Sequence, residues 1–118
     1  MNKRKVDALI HKAYHVLQEV EISKSGKINK AWRGQISSFG ASIAMGSLLA
    51  AVSFFSAQGG ADVDRSKLMK AIEKLIGCRG SLYDYVDTTE ERKAKEEIIN
   101  AAVALKLAMN LYDLGKGD

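Results

Sequence analysis

From Gly34 to Ala61 the chain carries no charged side chain, although 27% of its residues are charged. A stretch of that length first raises the question of a bilayer span, because about 20 apolar residues cross the hydrocarbon core. Its composition argues against one. Gly34, Gln35, Ser37, Ser38, Gly40, Ser42, Gly46, Ser47, Ser53, Ser56 and Gln58 dilute it, and its most apolar part, Ile43 to Phe55, is too short. The remaining solution is the central helical region of a soluble bundle, apolar on nearly every side because neighbouring helices surround it. Arg33, the last charge before the run, stands at its mouth.

The rest of the chain agrees with a helical solution. Proline is absent, aromatics make up 7%, and Ala, Leu, Lys, Glu and Ile dominate; uninterrupted helices follow more readily from this than a sheet with tight turns. The expected fold class is all-α, a single compact helical bundle of four to six helices over residues 1–118. At 118 residues, folding hides roughly two-thirds of the surface that the unfolded chain exposes. The basic start, MNKRKVDALIHKAYHVL, is broken by His11, Lys12 and His15 where a signal peptide would be apolar, so a cytoplasmic protein is expected. The single Cys78 has no internal partner and reads as a packing thiol in a reducing compartment.

Val6, Ile10, Ala13, Leu17 and Val20 fall on one helical stripe, which predicts a first helix from about Lys3 to Glu21. Ser23 to Lys30 reads as a basic loop turning at Gly26, after which Ile28 and Trp32 begin a new helical pattern, with a short extra helix possible near Trp32. The apolar run then offers two stripes, Ile36, Phe39, Ile43, Ala50 and Phe54, and Met45, Leu48, Leu49, Val52 and Phe55, ending at Gly59 and Gly60. Asp62 is placed to cap a helix whose inner stripe is Leu68, Ile72, Leu75 and Ile76, closed by Gly77. GCRGSLYDYV reads as a connector. Asp87 and Glu90 have capping-box spacing ahead of a last helix that turns Ala94, Ile98, Ala102, Leu105 and Met109 inward.

No constellation for catalysis stands out, and neither a catalytic residue nor a cofactor is expected. His11 and His15 have the four-residue spacing of a zinc pair, but no glutamate completes the HExxH pattern and no third ligand is indicated. Asp62 and Asp64 lie where a helix start favours acids without any metal. No metal site is assigned.

Charge distribution is more informative. Residues 1–40 hold eight Lys or Arg and three acids, net +5, whereas residues 41–118 hold ten and eleven, net −1. Lys24, Lys27, Lys30 and Arg33 recur every three residues around Gly26, and Lys67, Lys70 and Lys74 make a second stripe on the outer face of a helix. Together these seven side chains are the candidates for contacting a nucleic-acid backbone without reading bases, because several cations can neutralise several phosphates. Arg33 has two available roles, extending the basic strip or pairing with Glu19 or Glu21.

The segment AWRGQISSFGASIAMGSLLAAVSFF opens on the aromatic-basic pair Trp32–Arg33, has a glycine-leucine step from Gly46 to Leu48 and Leu49, and closes on Val52, Phe54 and Phe55. In these features it resembles the central helices of the small subunit of type III-B CRISPR effectors, the Cmr complex. The resemblance implies a noncatalytic helical bundle inside an antiviral ribonucleoprotein, partnered by other effector subunits, by guide and target RNA through their backbones, and by copies of itself in a stack. It implies no membrane partner. In such an assembly base pairing between RNAs reads sequence, the division of labour seen in other RNA-guided effectors, and Lys24, Lys27, Lys30 and Arg33 would track phosphates. Two other functions fit the sequence: a helical protein-protein adaptor with no RNA contact, and a small metal-dependent nuclease.

Overall fold

The computed structural model describes residues 1–57 and 63–115. In chain order its elements are α1 (Lys3–Glu19), β1 (Ser23–Lys24), β2 (Lys27–Asn29), α2 (Ala31–Met45), α3 (Leu48–Ser56), α4 (Ser66–Ile76), α5 (Leu82–Thr88), α6 (Glu91–Met109) and β3 (Asp113–Gly115). The protein is a mostly helical bundle, as expected, with one small sheet.

Two helices from opposite ends of the sequence form the centre. Asn100 Oδ1 accepts a hydrogen bond from the Asn2 amide at 2.9 Å, and the Tyr112 hydroxyl donates to the Tyr14 carbonyl at 2.6 Å. The two contacts join residues at the same sequence offset, so α1 and α6 run in the same direction. The buried stripe of α6 is rich in alanine (Ala94, Ala101, Ala102, Ala104 and Ala108, with Ile98, Leu105 and Met109), which lets the neighbouring helices approach closely. Val6, Ala13, Val16 and Leu17 of α1 complete this part of the core. Tyr14 and Tyr112 stack face to face at 4.5 Å where the two helices end.

Because both helices feed strands at the same end, a sheet forms there. Its order is β1-β2-β3, with β1 and β2 antiparallel and β2 and β3 parallel. The segment from Ser23 to Lys30, expected as a loop, is therefore a β-hairpin. Ser25 and Gly26 both have positive φ, 53° and 77°, the signature of a type I′ turn, whose twist matches that of paired strands. Burial of Ile22 and Ile28 holds the hairpin against the bundle.

The charge-free run is two helices. Gly46 ends α2, and Ser47 caps α3 by accepting a hydrogen bond from the Ala50 amide at 3.0 Å. The break shifts the helical phase, so neither predicted stripe stays inward along its length. Trp32, Ile36, Phe39 and Ile43 are buried in α2, and Leu48, Ala51, Val52 and Phe55 in α3. Met45 (89% exposed), Phe54 (59%) and Leu49 (41%) lie outside the core. The expectation of a central helix enclosed on all sides is thus corrected: much of its uncharged surface faces outward.

Three further boundaries differ. Helix α1 stops at Glu19. The connector after Gly77 contains α5, capped by Ser81, whose hydroxyl accepts the Asp84 amide. Asp87 lies inside α5, and Glu90 alone caps α6, its two carboxylate oxygens accepting the amides of Arg92 and Lys93 at 3.1 Å each. The closure of α4 by Gly77 is as expected, with φ of 78° and its amide bonded to the Glu73 carbonyl. Asp62, Gly59 and Gly60, expected at the boundaries before α4, lie outside the described residues.

Candidate nucleic-acid interface

The end of α1 determines where the basic residues go. The Ile22 amide bonds to the Leu17 carbonyl and the Glu21 amide to the Gln18 carbonyl, the paired bonds of a Schellman motif. Glu21 occupies its left-handed position with φ of 63°, a place that usually holds glycine. The chain is thereby turned back so that β1 starts immediately, and the two-residue turn sets Lys24 directly opposite Lys27. Like charges opposed on neighbouring strands repel. Both side chains are exposed at the tip of the hairpin.

The third cation comes from a distant segment. Lys67, in the first turn of α4, is half-buried, and its Nζ lies 3.5 Å from the Glu21 carbonyl oxygen, to which it donates. Lys24, Lys27 and Lys67 thus rim one cleft of about 450 Å³ between the hairpin and the start of α4. Its walls include the edges of Ile22, Ile28, Trp32 and Val63, and Asn29, Glu21 and Asp64 also line it. Three lysines against two carboxylates leave the cleft with a net charge of +1. Asp64 is not a free anion, since its carboxylate accepts the Ser66 hydroxyl at 2.6 Å and the Ser66 amide at 3.1 Å. The hydroxyl bond is the main cause that holds its pKa below the ordinary aspartate value.

The remaining candidates are arranged differently. Lys70 and Lys74 are exposed on α4, three and seven residues beyond Lys67, so they prolong the strip along one helical face away from the cleft. Lys30 is exposed at the start of α2, where its amide donates to the Gly115 carbonyl. Arg33 is half-buried, its Nε is shielded from solvent without a hydrogen-bond partner, and it makes no ion pair with Glu19 or Glu21. Neither Lys30 nor Arg33 lines the cleft.

The sequence did not point to Val63, Asn29, Glu21 or Asp64 as neighbours of these lysines. The hairpin could have been found: in ISKSGKI two isoleucines flank a symmetrical Lys-Ser-Gly-Lys centre, a pattern of strand, turn and strand.

The other candidates for chemistry are separate from this cleft. His11 and His15 stand edge to face at 4.8 Å on the exposed side of α1. Among the described residues no group of three or more His, Cys, Asp or Glu side chains is placed to hold a metal. Cys78 is half-buried after α4, with its thiol near the Glu73 and Gly80 carbonyls, and burial first, then the Glu73 charge, pushes its pKa up. That is the setting of a packing thiol. The Tyr85 hydroxyl donates to Glu97, and burial foremost keeps it protonated far into the alkaline range. No described helix is long and apolar enough to cross a membrane.

What the fold and cleft define is a class: a small helical bundle with a basic, apolar-walled cleft beside a three-stranded sheet. The chain matches no family model, no curated protein and no solved structure.

Proposed function

We propose that this chain is a noncatalytic small subunit of a type III-B CRISPR effector complex, working in the cytoplasm, which scaffolds the assembly and steadies RNA by its phosphates. The observation that carries the RNA contact is the convergence of Lys24, Lys27 and Lys67, from two segments distant in sequence, on one cleft. Lys70 and Lys74 continue the strip along α4. Support for the complex itself comes from the sequence resemblance over Trp32 to Phe55. The outward surface of α2 and α3, with Met45 and Leu49 exposed and Phe54 carrying the Arg65 guanidinium 4.4 Å from its ring centre, suits burial against other subunits.

The test is binding of unrelated RNA sequences to the purified chain as a function of salt. The expected result is similar affinity for each sequence and a steep fall with salt. A Lys24→Ala, Lys27→Ala, Lys67→Ala variant should lose about one unit of slope per lysine that meets a phosphate. A salt-independent failure to bind any RNA would favour the helical adaptor, which the same exposed surface of α2 and α3 supports. Assignment to the effector is tested by co-expressing the tagged chain with candidate effector subunits and sequencing the RNA that co-purifies. Repeat-derived guide RNA is expected; its absence would overturn the assignment.

A further inference from the structure

We infer that the cleft between the hairpin and α4 receives one unpaired nucleotide, its base against the apolar wall and its phosphate at the lysine rim, so that the site selects single-stranded over duplex RNA. This rests on the RNA-backbone function proposed above and adds a property which that function does not require.

A rail for duplex phosphates needs only an exposed strip of cations, as Lys70 and Lys74 provide on the outer face of α4. The three rim lysines are placed otherwise, around a concavity whose volume of about 450 Å³ lies in the range of about 300–1,000 Å³ typical of small-ligand sites. In its wall Ile22, Ile28 and Trp32 show only edges, 4%, 1% and 5% exposed, beside half-buried Val63, and none of them offers anything to a phosphate. They suit a planar base, which a duplex keeps stacked inside and a single strand can turn outward. Asn29 supplies a polar group beside that wall. Its Oδ1 accepts the Ala31 amide at 2.9 Å, which leaves the Nδ2 donor available to a base carbonyl or ring nitrogen. The two carboxylates limit how much phosphate the cleft can hold, because Glu21 and Asp64 offset two of the three rim charges. One nucleotide with one phosphate matches the remaining charge.

The chain contains a single tryptophan, Trp32, whose edge lies in the cleft wall, so its emission responds to a base placed against that edge. Three probes are titrated at one salt concentration: a short oligouridylate, an RNA duplex of the same length, and inorganic polyphosphate as a chain without bases. The oligouridylate is expected to change Trp32 emission and to bind about ten-fold more tightly than the duplex, the ratio given by one well-seated base. Polyphosphate is expected to bind without that spectral change. Val63→Ala, which trims the wall at a half-buried position and alters no charge, should lower single-strand affinity several-fold relative to the duplex, with a small fall in thermal midpoint because Val63 also packs against the core. Equal binding of single strand and duplex with unchanged Trp32 emission overturns the nucleotide site and leaves the backbone function standing. Failure of all three probes at low salt overturns both.

Discussion

Two residues at the base and tip of the hairpin hold a backbone conformation that their side chains disfavour. Glu21, just past the end of α1, holds φ 63°, and Ser25 begins the type I′ turn at φ 53°. A residue with a Cβ in the left-handed region costs roughly 1–2 kcal/mol, and glycine escapes that cost while losing some through its freer unfolded chain. Glu21→Gly is therefore expected to stabilise the fold by about 0.5–1 kcal/mol in urea denaturation. It also takes one carboxylate out of the cleft, so RNA affinity at low salt should rise, whereas Ser25→Asn, the residue favoured in this turn, should stabilise with no such rise. A Glu21→Gly variant less stable than the parent would show that the Glu21 side chain contributes more than its backbone costs. In the sequence Glu21 reads as the last residue of the first helix and a possible partner for Arg33. That it occupies a glycine position depends on the chain turning back into a strand, a tertiary event that no local propensity announces.

At the scale of elements, the helices that carry a strong amphipathic pattern were legible and the short ones were not. Of the inner stripe of α4, Leu68, Ile72 and Leu75 face the core and Ile76 is half-buried at its edge, while that of α6, from Ala94 to Met109, faces the core throughout. The break at Gly46 and Ser47 was hidden because both are small residues that a long apolar helix tolerates, although a serine before Leu48 and Leu49 is also what a helix start looks like. Helix α5 spans only Leu82–Thr88, too short for periodicity to show. The start of α4 carries a prediction. Since the folded pKa of Asp64 lies below its ordinary value, its contribution to stability is complete above the usual aspartate range and is lost as pH falls through the lower, folded value. Asp64→Asn should accordingly flatten the acid side of a plot of thermal midpoint against pH. Asp64→Ala should cost about 1 kcal/mol at neutral pH, as loss of a helix-start acceptor does. Identical acid limbs in parent and Asp64→Asn would remove Asp64 from the account of acid stability.

The whole molecule is closed by contacts between the two ends of its sequence, and this is the part that no stretch of sequence reveals. Periodicity identifies α1 and α6 as amphipathic helices, but says nothing of their running side by side in the same direction, nor of β3 pairing with β2. Those facts follow from two hydrogen bonds that join residues 98 apart, Asn2 to Asn100 and Tyr112 to Tyr14. Once the ends meet, β1 and β3 emerge on the same side and Lys24 and Lys27 come to rim the cleft that faces the start of α4, so the candidate site depends on contacts between residues 98 apart. Such contacts close a loop of nearly the whole chain, and the entropic cost of closure is met before the non-local bonds themselves reward it. Tyr112→Phe keeps the ring stacked on Tyr14 at 4.5 Å and removes the hydroxyl that donates to the half-buried Tyr14 carbonyl, a long-range bond added to that carbonyl's place in the α1 ladder. The expected loss is about 1 kcal/mol. If the ends join after the main folding barrier, that loss falls on the unfolding limb of a chevron plot, about five-fold faster unfolding with the folding limb unmoved. A slower folding limb with unchanged unfolding would instead place the pairing of the chain ends within the folding nucleus, and the basic cleft would then be organised early in folding.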